Sequence, residues 1–235
     1  LLTGTIESVE ALARWTDVER GPVPPTIFVE QCERAGRIEQ LTRHVLTCAA
    51  HAAITIREEA NRAVPVAVNI SSLLLGHGML VPLIREVLAA NHLPPSLLIL
   101  EFTETAKVAN FSSARSDMEE LRRLGLTLSL DDFGVGEANL ETLLELPFDE
   151  VKIDRLFVSR VGTERKAESM VHALLEFGRH ENMIVIAEGI ETPDIASRLL
   201  ELGCSKGQGY AIAHPMELPR LLDILREGHG QELLG

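Results

Sequence analysis

Aromatic residues are scarce in this chain, making up 4% of its 235 residues with one Trp and one Tyr. Little is therefore available to stack against sugar rings, and a glycoside hydrolase barrel is a poor reading even though Glu101 and Glu188 could form an acid and nucleophile pair. Cysteine is nearly absent. Cys32, Cys48 and Cys204 are odd in number and lack paired spacing, which argues against a disulfide framework and a zinc knuckle. They read as packing residues of a reducing compartment, so a cytoplasmic location is expected. Positive charge is in deficit: 22 basic against 35 acidic residues leave a net charge of -13, which argues against DNA binding through backbone attraction. An anionic substrate would need local cations to bring it in. No apolar run approaches the roughly 18 residues of a membrane span, and no signal-peptide pattern opens the chain. A membrane anchor would belong to a longer parent chain.

What the chain has is apolar residues, 46% of the total, distributed in short runs that suit a single domain over 1–235. Strands are expected near 6–11, 64–70, 97–102, 126–131, 150–154, 183–188 and 207–212. Helical spacing runs from Pro25 to about Ile56 as two helices divided near Gly36. It returns over 72–90, 112–124, 139–145, 164–180, 194–202 and 218–227. Strands alternating with helices at this cadence imply βα units and a mainly parallel sheet. Polar tips recur around the whole chain, which favours a closed TIM-like (β/α)8 barrel over an open sheet. An eighth strand is not legible, and the expectation is that Leu1 follows directly upon it.

Those polar tips are the chief functional signal. Glu10 opens Glu-Ala-Leu-Ala-Arg-Trp, Asn69 closes Val-Pro-Val-Ala-Val-Asn, and Glu101 closes Leu-Leu-Ile-Leu-Glu. Asp131 and Asp132 close Leu-Thr-Leu-Ser-Leu-Asp-Asp, Lys152 sits in Glu-Val-Lys-Ile-Asp, and Glu188 closes Met-Ile-Val-Ile-Ala-Glu. Buried parallel strands read as continuous apolar runs, so polar groups at their ends should meet at one rim of the sheet. Any one of these residues could equally cap a helix or sit in a solvated loop, but their recurrence at successive run ends argues for a site. Carboxylates converging there would repel one another without cations among them. Oxygen donors with no matching histidine or cysteine specify a hard cation such as magnesium or manganese. The pair Asp131-Asp132 is suited to holding two ions. Lys152 is either a surface residue at a strand end or a buried, paired ammonium, and Asp154 is either its partner or a cap of the next segment. Gly134, Gly136, Gly203, Gly207 and Gly209 bracket loops where a phosphate or metal could approach the backbone, though turn chemistry would serve each of them as well.

In order, these stretches closely resemble the EAL domain family of bacterial cyclic di-GMP phosphodiesterases. The resemblance is carried by Glu10-Ala11-Leu12 with Arg14-Trp15, Val68-Asn69-Ile70-Ser71, Glu101-Phe102-Thr103-Glu104-Thr105 and Asp131-Asp132-Phe133-Gly134. It continues in Val151-Lys152-Ile153-Asp154-Arg155, Ala187-Glu188-Gly189-Ile190-Glu191-Thr192 and Gly207-Gln208-Gly209-Tyr210. The resemblance implies an eight-stranded α/β barrel with one antiparallel strand, the first strand preceding Leu1. It implies that Glu10, Asn69, Glu101 and Asp131 hold one Mg2+ or Mn2+ ion and that Asp131, Asp132 and Glu188 hold a second. Lys152 would contact the attacking water or the phosphate, and Gln208 would support the far side. Glu104 would tether the loop after Asp132, while Leu12 and Arg14, together with Asp154, would contact the dinucleotide. The implied reaction is hydrolysis of cyclic di-GMP to pGpG by a homodimer, with sensory or cyclase domains elsewhere in a longer chain. The loop Gly134-Val135-Gly136-Glu137-Ala138-Asn139 departs from the family's usual Gly-Thr-Gly-Tyr-Ser-Ser, which keeps a non-catalytic cyclic di-GMP receptor as the alternative.

Overall fold

The computed structural model describes residues 1–103, 110–134 and 139–227. Its elements in chain order are β1 (Val9–Ala11), β2 (Trp15–Asp17), β3 (Gly21–Val23), α1 (Pro25–Arg34), α2 (Ile38–Glu59), β4 (Val66–Ile70), α3 (Leu80–Asn91), β5 (Leu98–Thr103) and α4 (Phe111–Leu124). There follow β6 (Thr127–Phe133), α5 (Asn139–Glu145), β7 (Glu150–Ile153), α6 (Arg155–Val158), α7 (Arg165–Glu181), β8 (Ile184–Ala187), α8 (Pro193–Glu201), β9 (Lys206–Gly207) and α9 (Leu218–Glu227).

Seven strands form one curled sheet in the order β1-β4-β5-β6-β7-β8-β9, and every pairing within it is parallel. This is the α/β architecture of a TIM-like barrel. The antiparallel pairing lies in a separate hairpin of β2 with β3, which starts from the Arg14-Trp15 segment. Alternation along the strands divides the side chains between two faces. Val66, Val68, Ile70, Leu98, Leu100, Leu128, Leu130, Val151 and Ile153 face outward and are buried in the main hydrophobic core with residues of the surrounding helices. Each such aliphatic side chain contributes roughly 1.5–3 kcal/mol by leaving water. The intervening residues face the interior, and they include most of the polar tips.

Helix boundaries follow local chemistry. Asn110 accepts from Ser113 N at 3.1 Å at the start of α4, which stops at Gly125 in a left-handed conformation. Thr192 caps α8 ahead of Pro193. The helix expected over 72–90 is divided: a single 3-10 turn spans Ser72–Leu74, and α3 begins only at Leu80. Gly76 and Gly78 have φ values of 75° and 70°, which interrupt the helix between them. The strand expected over 207–212 is reduced to Lys206–Gly207. The packing role expected of the cysteines holds for Cys204, which is buried; Cys32 is half-buried and Cys48 exposed, so α1 and α2 do not use them as core residues. Among the described residues no helix is long and apolar enough to cross a membrane.

Candidate metal centre

At the C-terminal ends of the sheet strands the polar tips form one cluster around Lys152. The ammonium Nζ lies 2.9 Å from Glu101, 3.1 Å from Asp131, 2.7 Å from Glu188 and 3.7 Å from Glu10. At 2% exposure Lys152 is not the surface lysine of one reading. Burial by itself would lower its pKa, but the charges of Glu101, Glu188, Glu10 and Asp131 outweigh that and hold it well above its ordinary value. Asn69 donates through Nδ2 to Glu10 Oε1 at 2.8 Å and to Glu101 Oε2 at 3.4 Å. Gln208 donates through Nε2 to Glu188 at 2.7 Å and to Glu10 at 3.3 Å. Groups up to 198 positions apart in the chain therefore share one ring of contacts.

Asp132 reaches this ring by a backbone irregularity. Between Leu130 and Phe133 the register of β6 slips, so that Asp131 and Asp132 together face Lys152 on β7. Asp132 has φ of 57°, a left-handed conformation uncommon for a residue with a side chain. One carboxylate oxygen from each of Asp131, Asp132 and Glu188 can be chosen so that all lie within 4.8 Å of one another.

Four carboxylates thus share a single ammonium, with Asp132 beside them, and the acidity of the group records the imbalance. Burial, with Glu10 and Asp131 adding to it against the pull of Lys152, pushes Glu101 up to about 8. Burial and Asp131 push Glu188 up to about 7 despite Lys152, and burial with Asp131 and Asp154 pushes Asp132 up to about 6. Asp131 Oδ1 is buried and makes no hydrogen bond, although the ammonium is 3.1 Å away. A crowded set of carboxylate oxygens with one ammonium among them fits a hard divalent cation, and among the described residues no histidine or cysteine joins the group.

The remaining expected residues lie around this centre. Leu12 and Arg14 stand exposed at the mouth of a cavity of about 670 Å3 that also touches Glu10, Glu101, Asp132, Lys152, Glu188 and Gln208. Asp154 lines the same cavity, and of its two open readings the structure shows the cap: its carboxylate accepts from Leu156 N at 2.8 Å at the start of α6. Glu104 and the segment 135–138 lie outside the described residues. Close backbone approaches at the described glycines are made by the protein itself, with Gly209 packed on the backbone of Ile190 and Gly207 on the Ile190 side chain.

Sequence reasoning missed a second inward row beneath the cluster. Ser129 and Glu150 are register partners on β6 and β7, both buried, and Ser129 Oγ has no hydrogen-bond partner. Burial raises the pKa of Glu150, with Lys206 and Lys152 opposing the rise. The signal was available: residues two positions before Asp131 and Lys152 share their face.

A family model described as the EAL domain matches residues 1–215. An uncharacterized signaling protein of Caulobacter vibrioides is 37% identical over 220 residues, covering 93% of this chain and 26% of the relative. The cyclic di-GMP phosphodiesterase RocR of Pseudomonas aeruginosa is 32% identical over 222 residues, covering 94% of this chain and 56% of RocR. The chain thus spans between about a quarter and a little over half of these curated relatives. Among solved structures, the MucR phosphodiesterase in complex with c-di-GMP superposes with a TM-score of 0.83 at 34% identity, over 92% of this chain and 87% of that one.

Proposed function

Because this chain belongs to the EAL domain family, we propose that it hydrolyses one phosphodiester bond of cyclic di-GMP to give linear pGpG. The observation that carries this reading is the convergence of Glu10, Glu101, Asp131 and Glu188, from four different strands or their ends, on one buried ammonium. Two Mg2+ or Mn2+ ions would balance the excess negative charge; bound there they would neutralise phosphate oxygens and lower the pKa of a water molecule. Glu10, Asn69, Glu101 and Asp131 would hold one ion, and Asp131, Asp132 and Glu188 the other. Lys152 would stabilise charge developing on the phosphoryl oxygens as the bond to the 3′ oxygen breaks. Gln208 orients Glu188 and Glu10 through its two hydrogen bonds. Leu12 and Arg14, together with Asp154, line the approach for the dinucleotide.

A homodimer is part of this reading, supported by Leu140 and Leu144 on α5, which are 60% and 59% exposed, and Leu156 on α6, which is 48% exposed. Sensory or cyclase domains in a longer parent chain and a cytoplasmic location complete it. The deciding experiment is chromatography of cyclic di-GMP incubated with the protein and Mg2+ or Mn2+. Appearance of pGpG that thorough chelation abolishes is expected; tight binding without product would replace the enzyme by a receptor.

A further inference from the structure

Asp131 and Asp132 lie at the end of β6 and Glu188 directly after β8, and one short helix is wedged against the turns that follow both strands. A Cβ built on Gly134 would overlap the ring of Phe157, and a Cβ built on Gly189 would overlap Arg155 Cβ and come within 3.3 Å of its Cα. Phe157 and Arg155 belong to the same single turn, α6. Gly134 stands two residues after Asp132 and Gly189 follows Glu188 directly, with φ values of 112° and 64°. Main-chain bonds bind the same three strand ends together, Asp154 N to Phe133 O at 3.3 Å and Glu188 N to Ile153 O at 3.0 Å. Asp154 caps α6 and Val158 is fully buried beneath it, so the turn is held from both ends.

Lys152 pairs with Asp131 and Glu188 across the gap that α6 spans. An ammonium held by a flexible stem pulls the acids together but sets no minimum distance between them. Packed atoms do, because close-packed interiors resist compression. We propose that α6 is the spacer that sets the separation of Asp131 and Asp132 from Glu188, with Arg155 and Phe157 as positioning residues, and that it thereby governs the affinity for the cation these three acids share. The proposal rests on the two-cation reading of the cluster. Gly189 permits the contact with Arg155, and any added carbon there drives the Glu188 turn away from β6.

The test is titration with Mn2+ alone, followed by electron paramagnetic resonance and calorimetry. The unsubstituted chain should bind two ions, and Gly189→Ala should weaken one of them about tenfold or more while sparing the other. Adding Arg155→Gly removes the obstructing Cβ and should restore much of the lost affinity, leaving only the part due to an alanine in the left-handed backbone at position 189. Adding Arg155→Ala removes the same guanidinium but keeps the Cβ, and should restore nothing. Phe157→Leu, which frees the Gly134 side without adding backbone strain, should weaken the same ion severalfold and decides the matter if Gly189→Ala fails to fold. Full affinity for both ions in Gly189→Ala and Phe157→Leu, or equal recovery in the two double variants, would overturn the spacer. Failure of the unsubstituted chain to bind any Mn2+ would instead remove the two-cation reading, and the spacer with it.

Discussion

The sheet has two unlike halves. From β4 to β7 the strands are four to seven residues long and joined by parallel backbone ladders, unbroken except at the slip between β6 and β7. At the edges, β1 has three residues and β9 two, and side chains link them instead: Gln208 to Glu10 at 3.3 Å and Lys206 to Glu7 at 2.8 Å. Asn69, Glu101, Asp131 and Lys152 rest on the ladder half, whereas Glu10 and Gln208 depend on the seam. Where the backbone supplies the bonds, a side chain can be changed without moving its neighbours; where side chains supply them, a substitution also loosens the frame.

Breaking one acid on each half should expose this asymmetry. Asp131→Ala and Glu10→Ala are both expected to abolish turnover, by about 10³ or more if several kcal/mol of cation-derived stabilisation is lost. Their metal-free melting temperatures should differ. Asp131→Ala removes a buried negative charge from a crowd of them and should leave the fold at least as stable, while Glu10→Ala loses bonds to Asn69 and Gln208 worth about 0.5–1.5 kcal/mol each. Equal melting temperatures would erase the distinction between the halves.

Lys152→Ala should lower kcat by about 10²–10³ with a smaller change in KM; a loss confined to affinity would mean that the ammonium serves only to bind. Gln208→Ala, which touches the acids but lies outside the proposed ligand sets, should weaken divalent binding by about tenfold, measured calorimetrically. The smallest effect is a pH dependence of the metal-free protein. Glu101 and Glu188 titrate at about 8 and about 7 in the folded chain, above the ordinary carboxylate range near 4.5. The folded state therefore binds more protons than the unfolded one, and stability present below about pH 4.5 is lost as pH rises through 7 and 8. Thermal melts between pH 5 and 8.5 should show a falling melting temperature, and saturating Mn2+ should flatten it; a rise with pH in the metal-free protein would contradict the crowding.

The ladder half was also the legible half. Runs such as Leu-Leu-Ile-Leu-Glu101 and Leu-Thr-Leu-Ser-Leu-Asp131 announce a strand and its polar end together, because outward positions in a helix-covered sheet must be apolar. The hairpin of β2 and β3 was hidden: each strand has three residues, and Pro22 in Gly-Pro-Val reads as a breaker. Helix α6, at four residues, is shorter than the apolar period that would disclose it. Gly76 and Gly78 interrupt a segment that is rich in apolar residues on both sides of them, so the two flanks read as one helix. For the site, the number of acids was readable but their support was not. Ser129 and Glu150 occupy positions that a continuous core strand would fill with valine or leucine, and only the parity shared with Asp131 and Lys152 assigns them to the interior.

An unbroken strand sends neighbouring side chains to opposite sides, so two consecutive acids would place one of them among the leucines beneath the helices. The extra residue in β6 cancels that alternation for a single step, and the left-handed backbone at Asp132 is the local cost of doing so. A β-branched residue at that position would remove the second carboxylate and also favour the straight conformation, realigning β6 against Ile153. How many negative groups the interior receives from this strand is therefore decided by one kink in the main chain as much as by the letters of the sequence.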